Sequence, residues 1–577
     1  MHTRALAALA LCLAGCAAAS AATPADVVTL SIVATTDVHG NIAPRNGVGG
    51  LAALGGYVRN LRAARAADGG AVLLVDSGDT FQGGIESDLS EGAAVVDAYA
   101  ALGYAAVVIG NHEFDFGAAD GPGARQPLGA DPRGALAALA ARAPFPFLAA
   151  NLIEDATGKP VAWPNVHGAT LVTAAGVKVG IVGVMTIDAL RATLRANVHG
   201  LHVAPLADTV AAEAATLRAR GAQVVIVGAH AGGACASFGA PLDLSSCDAD
   251  AEIFALARQL PHGLVDVITA GHTHQAVAHE VAGIAIVQAY PLGRAFGRVD
   301  VAFDRRSGAV VQRTIFPPHD ICGPEPEASG CGARADAGTP PAATYEGRAV
   351  APDPAIEAAM APALARVRAL QANPLGVVLD APIPRAGVPD SPLGNLFADA
   401  QRERTGADVA INNNVRGGLR ADLPAGPLTF GRLYDVFPFD NRLLTLTLTG
   451  AELRAVLADE VHRNRRGALG LSGVEARVAC SAGGELDVEV VRPNGVRIGT
   501  DERLAVTAMD SLVLGPVFAA VPSAAGRSVP ADAPLLRETV EDWLRARGGR
   551  LAASDFVGAE TPRWRFGADD LATCVPP

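Results

Sequence analysis

The sequence predicts an α/β protein built as two unequal domains joined by a helix, and three observations carry that expectation. From residue 27 to about 315, short apolar runs that suit buried strands alternate with Ala-rich stretches that suit helices. A segment rich in Pro, Gly and Ala then interrupts the pattern, and a second set of strand-like runs begins at about residue 375. The chain's 577 residues also exceed what one ordinary core organises.

In chain order, "VVTLSIVATTD", "AVLLVDSGD", "AAVVIGNHE", "FPFLAANL", "VKVGIVGVM", "AQVVIVGAH", "VDVITAGHTH" and "IAIVQAY" are the strands of the first domain. Polar residues gather where these strands end, and α/β sheets carry their functional loops at the C-terminal ends of strands. "PPHDICGPEPEASGCGARADAGTPPAAT" is the boundary, and "PAIEAAMAPALARVRALQ", stopped near "NPLG", is a linker helix. Beyond it, "LGVVLDAPI", "ADVAINNN", "LLTLTLTG", "LDVEVV" and "RLAVTAM" read as strands of a smaller α/β or α+β domain. The expected organisation is a targeting segment over 1–23, a first domain over 27–342, the linker helix within 343–373 and a second domain over 374–577.

Composition narrows the function. Half of the chain is apolar and 18% is charged, which suits folded, well-buried structure. A net charge of −13 speaks against a nucleic-acid polymer as partner, because a phosphate backbone requires a Lys/Arg surface. At the N-terminus, Arg4 precedes the apolar stretch Ala5 to Leu13, and "LAGC" has the form of a bacterial lipobox in which Cys16 would be lipidated. Ordinary secretory cleavage within "CAAASAAT" is the alternative. Either way the protein is expected to be exported, as a periplasmic protein or outer-membrane-anchored lipoprotein of a bacterium, with membrane contact only through the lipid. With Cys12 removed and Cys16 lipidated, six cysteines remain for an oxidising compartment. Short spacings favour Cys235 with Cys247 and Cys322 with Cys331, leaving Cys480 with Cys574; no C-x-x-C supports a zinc-cysteine site.

The strand ends then supply the chemistry. "TTDVHGN" offers Asp37 and His39, "DSGDTFQG" offers Asp79, "GNHEFD" offers Asn111, "GAH" offers His230, and "GHTH" offers His272 and His274. Each motif alone is more often a cap or a turn than a ligand. Together they suit two divalent cations roughly 3.5 to 4 Å apart, which need a bridging carboxylate, imidazoles and hard oxygens. Asp79 is the expected bridge, with Asp37, His39 and His274 on one ion and Asn111, His230 and His272 on the other. Zinc or manganese suits this donor set, and iron is also admitted. Such a pair lowers the pKa of water and binds phosphoryl oxygens, so in-line hydrolysis of a phosphate ester follows.

The order D-x-H, G-D, G-N-H-E-x-D, strand-end His and G-H-x-H resembles the calcineurin-like metallophosphatases, and the length and later motifs resemble the secreted 5′-nucleotidase family. That resemblance implies a four-layer β-sandwich flanked by helices, followed by a substrate-binding domain. It implies that His112 stabilises the transition state and that Asp115 holds its charge; Glu113, read from the loop itself, is a turn-stabilising carboxylate. "NNNVRGGLR" is similar to the family's Asn- and Gly-rich loop, which makes Arg420 the phosphate or carboxylate fork and an Asn of 412 to 414, taken as Asn414, a contact to the base. Arg385 is a second clamp, and Phe439 of "FPFDN" resembles a base-stacking aromatic. The sequence departs from the family at Arg416 and at "VTAMDSLVLGPVF", which lacks the late aromatic followed by G-G-D-G. The implied activity is hydrolysis of nucleoside 5′-monophosphates by a monomer acting on a small molecule. Hydrolysis of 2′,3′-cyclic nucleotides, nucleotide sugars, other phosphomonoesters or sulfur compounds, and ligand binding without turnover, are the alternatives.

Overall fold

The computed structural model describes residues 26–45, 47–119, 131–193, 197–322, 344–385, 390–414, 418–464, 469–480, 486–519, 521–524, 529–530, 533–557 and 562–567. The lipobox and Cys16, together with Arg416, Cys331 and Cys574, lie outside these residues.

Two sheets stack to form the first half. In the seven-stranded sheet, β1 (Val27–Thr35), β2 (Ala71–Asp76) and β3 (Tyr104–Val108) run parallel, and Ala295–Asp304 pairs antiparallel with β1. In the six-stranded sheet, β4 (Val177–Met185), β5 (Val224–His230) and β6 (Val267–Ala270) are likewise parallel. Strand alternation sorts the side chains by layer. Leu30, Ile32 and Val75 meet Val179, Ile181, Ile226 and Val267 between the sheets. On the outer face of the first sheet, Val33, Leu74 and Val107 pack against α1 (Leu51–Asp68) and Ala93–Leu102. Helices Leu206–Ala219 and Glu252–Gln259 cover the second sheet. The result is helix, sheet, sheet, helix: the expected four layers.

Each fully buried Val, Leu or Ile contributes about 1.5–3 kcal/mol, so this interior supplies the main favourable term of the fold. Gly228 has a specific task there. A Cβ at that position would lie 2.5 Å from Val108 Cγ2, so the missing side chain lets β5 approach β3 closely enough to bring two sets of strand ends together.

The second half follows α2 (Pro354–Gln371), whose first turn holds Pro354 and is capped by Asp353 accepting from the Ala355 N–H. Ile356 and Met360 of α2 pack into the first core, whereas Val367 packs with Ile85 and Tyr434. Beyond α2, strands occur at Pro374–Leu379, Val409–Asn413, Leu443–Thr449, Leu486–Val491 and Arg503–Met509. "LLTLTLT" buries its leucines and exposes Thr445 and Thr447, as an alternating strand with one covered face requires. These strands share one apolar core with α3 (Pro392–Thr405).

Cys235 and Cys247 form the expected disulfide. Cys322 and Cys480 are also disulfide-bonded, and the partners expected for them are outside the described residues. Among the described residues, no helix is long and apolar enough to cross a membrane.

Candidate active site and metal centre

The backbone at the strand ends takes an uncommon conformation. Asp37 (φ 49°), His39 (φ 48°), Asp79 (φ 57°), His272 (φ 76°) and His274 (φ 57°) all sit in the left-handed region. That region is sparsely occupied by non-glycine residues, though Asp and His are among those that enter it. It persists where the surroundings over-determine it. Here backbone bonds do so: Asp37 N–H donates to Gly78 O and His39 N–H to Asp79 O, both at 2.9 Å, while His272 N–H donates to the Asp37 carboxylate at 3.1 Å.

These turns converge the donor atoms into two groups that share Asp79. Ligand atoms of Asp37, His39, Asp79 and His274 lie within 4.8 Å of one another, and so do those of Asp79, His230 and His272. His39 Nδ1–H donates to Gln82 O and His230 Nδ1–H to Ser77 O, both at 2.9 Å. Each therefore directs its Nε2 lone pair inward, the tautomer that metal ligation needs. His39 Nε2 lies 3.0 Å from His274 Nε2, and His230 Nε2 lies 3.2 Å from both His272 Nδ1 and Asn111 Oδ1. Lone pairs facing one another at such distances fit a shared cation between them, so this donor set suits two divalent ions.

Charge inside the cluster is distributed unevenly. Burial pushes Asp37 up to about 7 and His39 and His272 down to about 3 and about 4. Burial also works against the charge of Asp79, but His230 and His112 outweigh it and hold this carboxylate well below its ordinary range. The Asp79 charge in turn raises His230 to about 9 despite its burial. Bound cations would take over the role of those protons.

His112 stands beside the donors, its ring 4.9 Å from that of His39. Its Nδ1–H donates to Asp115 Oδ2 at 2.5 Å, and its backbone N–H to Asp79 Oδ1 at 2.9 Å. Burial disfavours its charge, yet Asp115 and Asp79 raise it to about 10, so it is an imidazolium at neutral pH. Glu113 binds no donor group of the cluster. Its carboxylate accepts from the backbone N–H groups of Gly110 (2.6 Å), Asp79 (2.9 Å) and Thr80 (2.6 Å), tying the two loops together. Asp76 is a residue that sequence reasoning left without a role. It accepts from Thr35, Thr80 and Tyr99 and from the Gly78 N–H, fixing the loop that carries Asp79. Its position at the end of "VLLVD", a carboxylate closing a buried strand, was the available signal.

The residues assigned to the second half are placed unequally. Arg420 lies with its guanidinium carbon 4.5 Å from the Phe439 ring centre, a cation–π pair. A Cβ built on Gly83 would come within 3.8 Å of Arg420 Nη1. Gln82 Nε2–H donates to Pro438 O at 3.5 Å, so Phe439 follows directly on a contact with the loop that orients His39. Arg385 donates to Leu419 O at 3.1 Å and thereby holds the Arg420 loop. Asn414 is turned inward, its Oδ1 accepting from Asn412 Nδ2 at 2.9 Å, against Gly394 of α3. In the region lacking the late aromatic, Asp510 accepts from Asn441 Nδ2 at 2.6 Å and the Arg442 N–H at 3.1 Å, bracing the segment after Phe439.

Residues 30–276 match the family described as Calcineurin-like phosphoesterase, and residues 372–515 match the family described as 5′-nucleotidase, C-terminal domain. A Bacillus subtilis protein named Endonuclease YhcR is 28% identical over 460 residues, 76% of this chain, and the match spans only 33% of that relative's length. A Vibrio cholerae protein named 5′-nucleotidase is 27% identical over 470 residues, covering 76% of this chain and 77% of the relative. Among solved structures, a 5′-nucleotidase precursor from Thermus thermophilus superposes with a TM-score of 0.61 at 25% identity, covering 94% of this chain and all of the other.

Proposed function

Because the chain belongs to the calcineurin-like phosphoesterases that continue into a 5′-nucleotidase C-terminal domain, we propose that it is an exported, metal-dependent phosphoesterase releasing phosphate from nucleoside 5′-monophosphates. The observation that carries the reading is the sharing of Asp79 by two donor groups with the hydrogen-bonded His112–Asp115 pair beside them. Asp37, His39, Asp79 and His274 would hold one ion, and Asp79, Asn111, His230 and His272 the other. Two such ions supply Lewis-acid chemistry for water and phosphoryl oxygens. His112 holds its Nδ1 proton against Asp115 and directs its other N–H at the charge that develops on the phosphoryl or departing oxygen. Arg420 offers a cation to the phosphate or sugar side of the substrate, and Phe439, one face of which Arg420 covers, would take a base on its other face.

The missing late aromatic favours a second reading, a phosphomonoester whose leaving group is smaller than a nucleoside. A panel of nucleoside 5′-monophosphates, 2′,3′-cyclic nucleotides, a nucleotide sugar, p-nitrophenyl phosphate, a thiosulfate ester and a DNA oligonucleotide separates the readings, with and without added zinc or manganese. The proposal expects metal-dependent phosphate release with the 5′-monophosphates preferred. A Phe439→Ala variant should raise KM for nucleotides far more than for p-nitrophenyl phosphate, since stacking a base is worth ~1–3 kcal/mol by truncation. Preference for any other member of the panel overturns the substrate assignment, and bound metal without hydrolysis of any ester overturns the enzyme. For export, Cys16→Ala should release the protein from the membrane fraction; identical soluble protein from both forms would remove the anchor.

A further inference from the structure

A polar link that the reaction chemistry does not use crosses between the two halves of the molecule. Tyr434, in helix Phe430–Val436, donates its hydroxyl to Asp88 Oδ2 at the end of helix Ile85–Asp88. Both residues are buried, at 2% and 6% exposure. Asp88 Oδ1 accepts from the Gly83 N–H at 2.9 Å, so Asp88 grips the loop whose preceding residue, Gln82, orients His39. On the other side, Arg537 lies 4.7 Å over the Tyr434 ring. It donates to Phe439 O at 3.0 Å and to Asp440 at 2.5 Å. A continuous path thus runs from the metal-site loop through Asp88, Tyr434 and Arg537 to the segment carrying Phe439, on which Arg420 rests.

Its surroundings make the link consequential. The apolar cluster around Tyr434 is small, with Ile85 and Val367 buried beside it and Leu89 and Phe430 partly so. A patch of that size sets orientation weakly, whereas a hydrogen bond between two buried polar groups is directional and costly to leave unmade. We propose that the Tyr434–Asp88 hydrogen bond is a positioning latch that sets Arg420 and Phe439 relative to the metal centre and so determines discrimination between nucleotides and smaller phosphate esters. The inference rests on the substrate reading above. Tyr434 and Asp88 act through the clamp residues and touch no reacting atom.

The test compares kcat and KM for AMP and p-nitrophenyl phosphate in the metal-loaded full chain. Tyr434→Phe keeps the ring and its packing but removes the hydroxyl. It should lower kcat/KM for AMP about fivefold to a hundredfold, the range expected for leaving a buried hydrogen-bond partner unsatisfied, with p-nitrophenyl phosphate hydrolysis unchanged. Asp88→Ala also releases the Gly83 N–H and so costs some p-nitrophenyl phosphate activity, but its loss should be larger for AMP; Asp88→Asn, whose amide oxygen can keep the Gly83 N–H while its N–H donates to the Tyr434 oxygen, should restore most of the AMP activity. Equal losses on both substrates, or a loss that Asp88→Asn does not restore, would show a merely structural role and overturn the latch. If Phe439→Ala abolishes the AMP preference while Tyr434→Phe leaves it intact, the latch falls and the clamp stands. A wild-type protein with no preference for AMP removes the substrate reading and the latch with it.

Discussion

Replacing Glu113 by Gln is the sharpest single perturbation of the site's scaffold, because it changes one atom and no proposed ligand. In the native site the carboxylate serves three backbone donors, Gly110 and Asp79 on Oε2 and Thr80 on Oε1. A carboxamide has one acceptor oxygen. If that oxygen keeps the two donors at Oε2, the amide nitrogen faces the Thr80 N–H, donor against donor. One charge-assisted bond is lost and a buried N–H is left unpaired, a net cost of about 2–4 kcal/mol. For a domain of about 300 residues that corresponds to a fall in Tm of about 3–6 °C. The loss should also appear in metal affinity, since the same bonds hold the loop of Asp79, the proposed bridge, against that of Asn111. Thermal unfolding with and without metal, followed by titration of zinc into chelator-treated protein, measures both effects. Glu113→Ala leaves all three donors unpaired, a cost of ~3–9 kcal/mol that approaches a whole domain's stability. An unchanged Tm in Glu113→Gln would refute the account of this residue as the tie between the two loops.

Three further outcomes are expected. Asp79→Asn should weaken both metal sites together, and two full-strength sites by metal analysis would reassign the bridge. His112→Ala should leave both metals bound and lower kcat by at least ~100-fold, because it removes charge stabilisation and no proposed ligand; unaltered turnover would remove its role. Burial raises Asp88 from 3.8 to about 8, with Tyr434 and the Gly83 N–H opposing, Asp440 adding to the rise and Arg537 opposing it. The folded state therefore binds this proton more tightly than the unfolded one. Its stabilising contribution is complete below about pH 4 and is lost as pH rises through about 8. Urea unfolding of Asp88→Asn should lose less stability between about pH 4 and pH 8 than wild type, and parallel pH profiles would contradict the assignment.

The first half of the fold was readable because both sheets are buried and their strands end abruptly. Val107 and Val108 stop at Gly110, and polar residues follow where a core strand has no use for them. Convergence of the donors was legible for the same reason, since parallel strands deliver their C-terminal ends to one edge. Second-half side chains were harder because loop direction, unlike strand periodicity, leaves no trace in spacing. Asn414 turns inward to Asn412, and Arg385 holds a carbonyl of the Arg420 loop; nothing in "NNNVRGGLR" or "APIPRAGVPD" encodes these directions. The Asp88–Tyr434 contact joins residues 346 positions apart and depends on how α2 seats the halves together.

Left-handed backbone at Asp37, His39, Asp79, His272 and His274 restricts how such a site can decay. Bulky and β-branched replacements would strain the turn as well as remove a donor, so selection against misfolding would purge them regardless of catalysis. Asn and Gly tolerate the same conformation, and Asn retains an oxygen. Drift away from metal chemistry would therefore run preferentially through Asn and Gly at these positions, leaving the sandwich folded. A lineage following that route would keep Arg420 and Phe439 while shedding turnover, and so become a receptor for the molecule its ancestor hydrolysed.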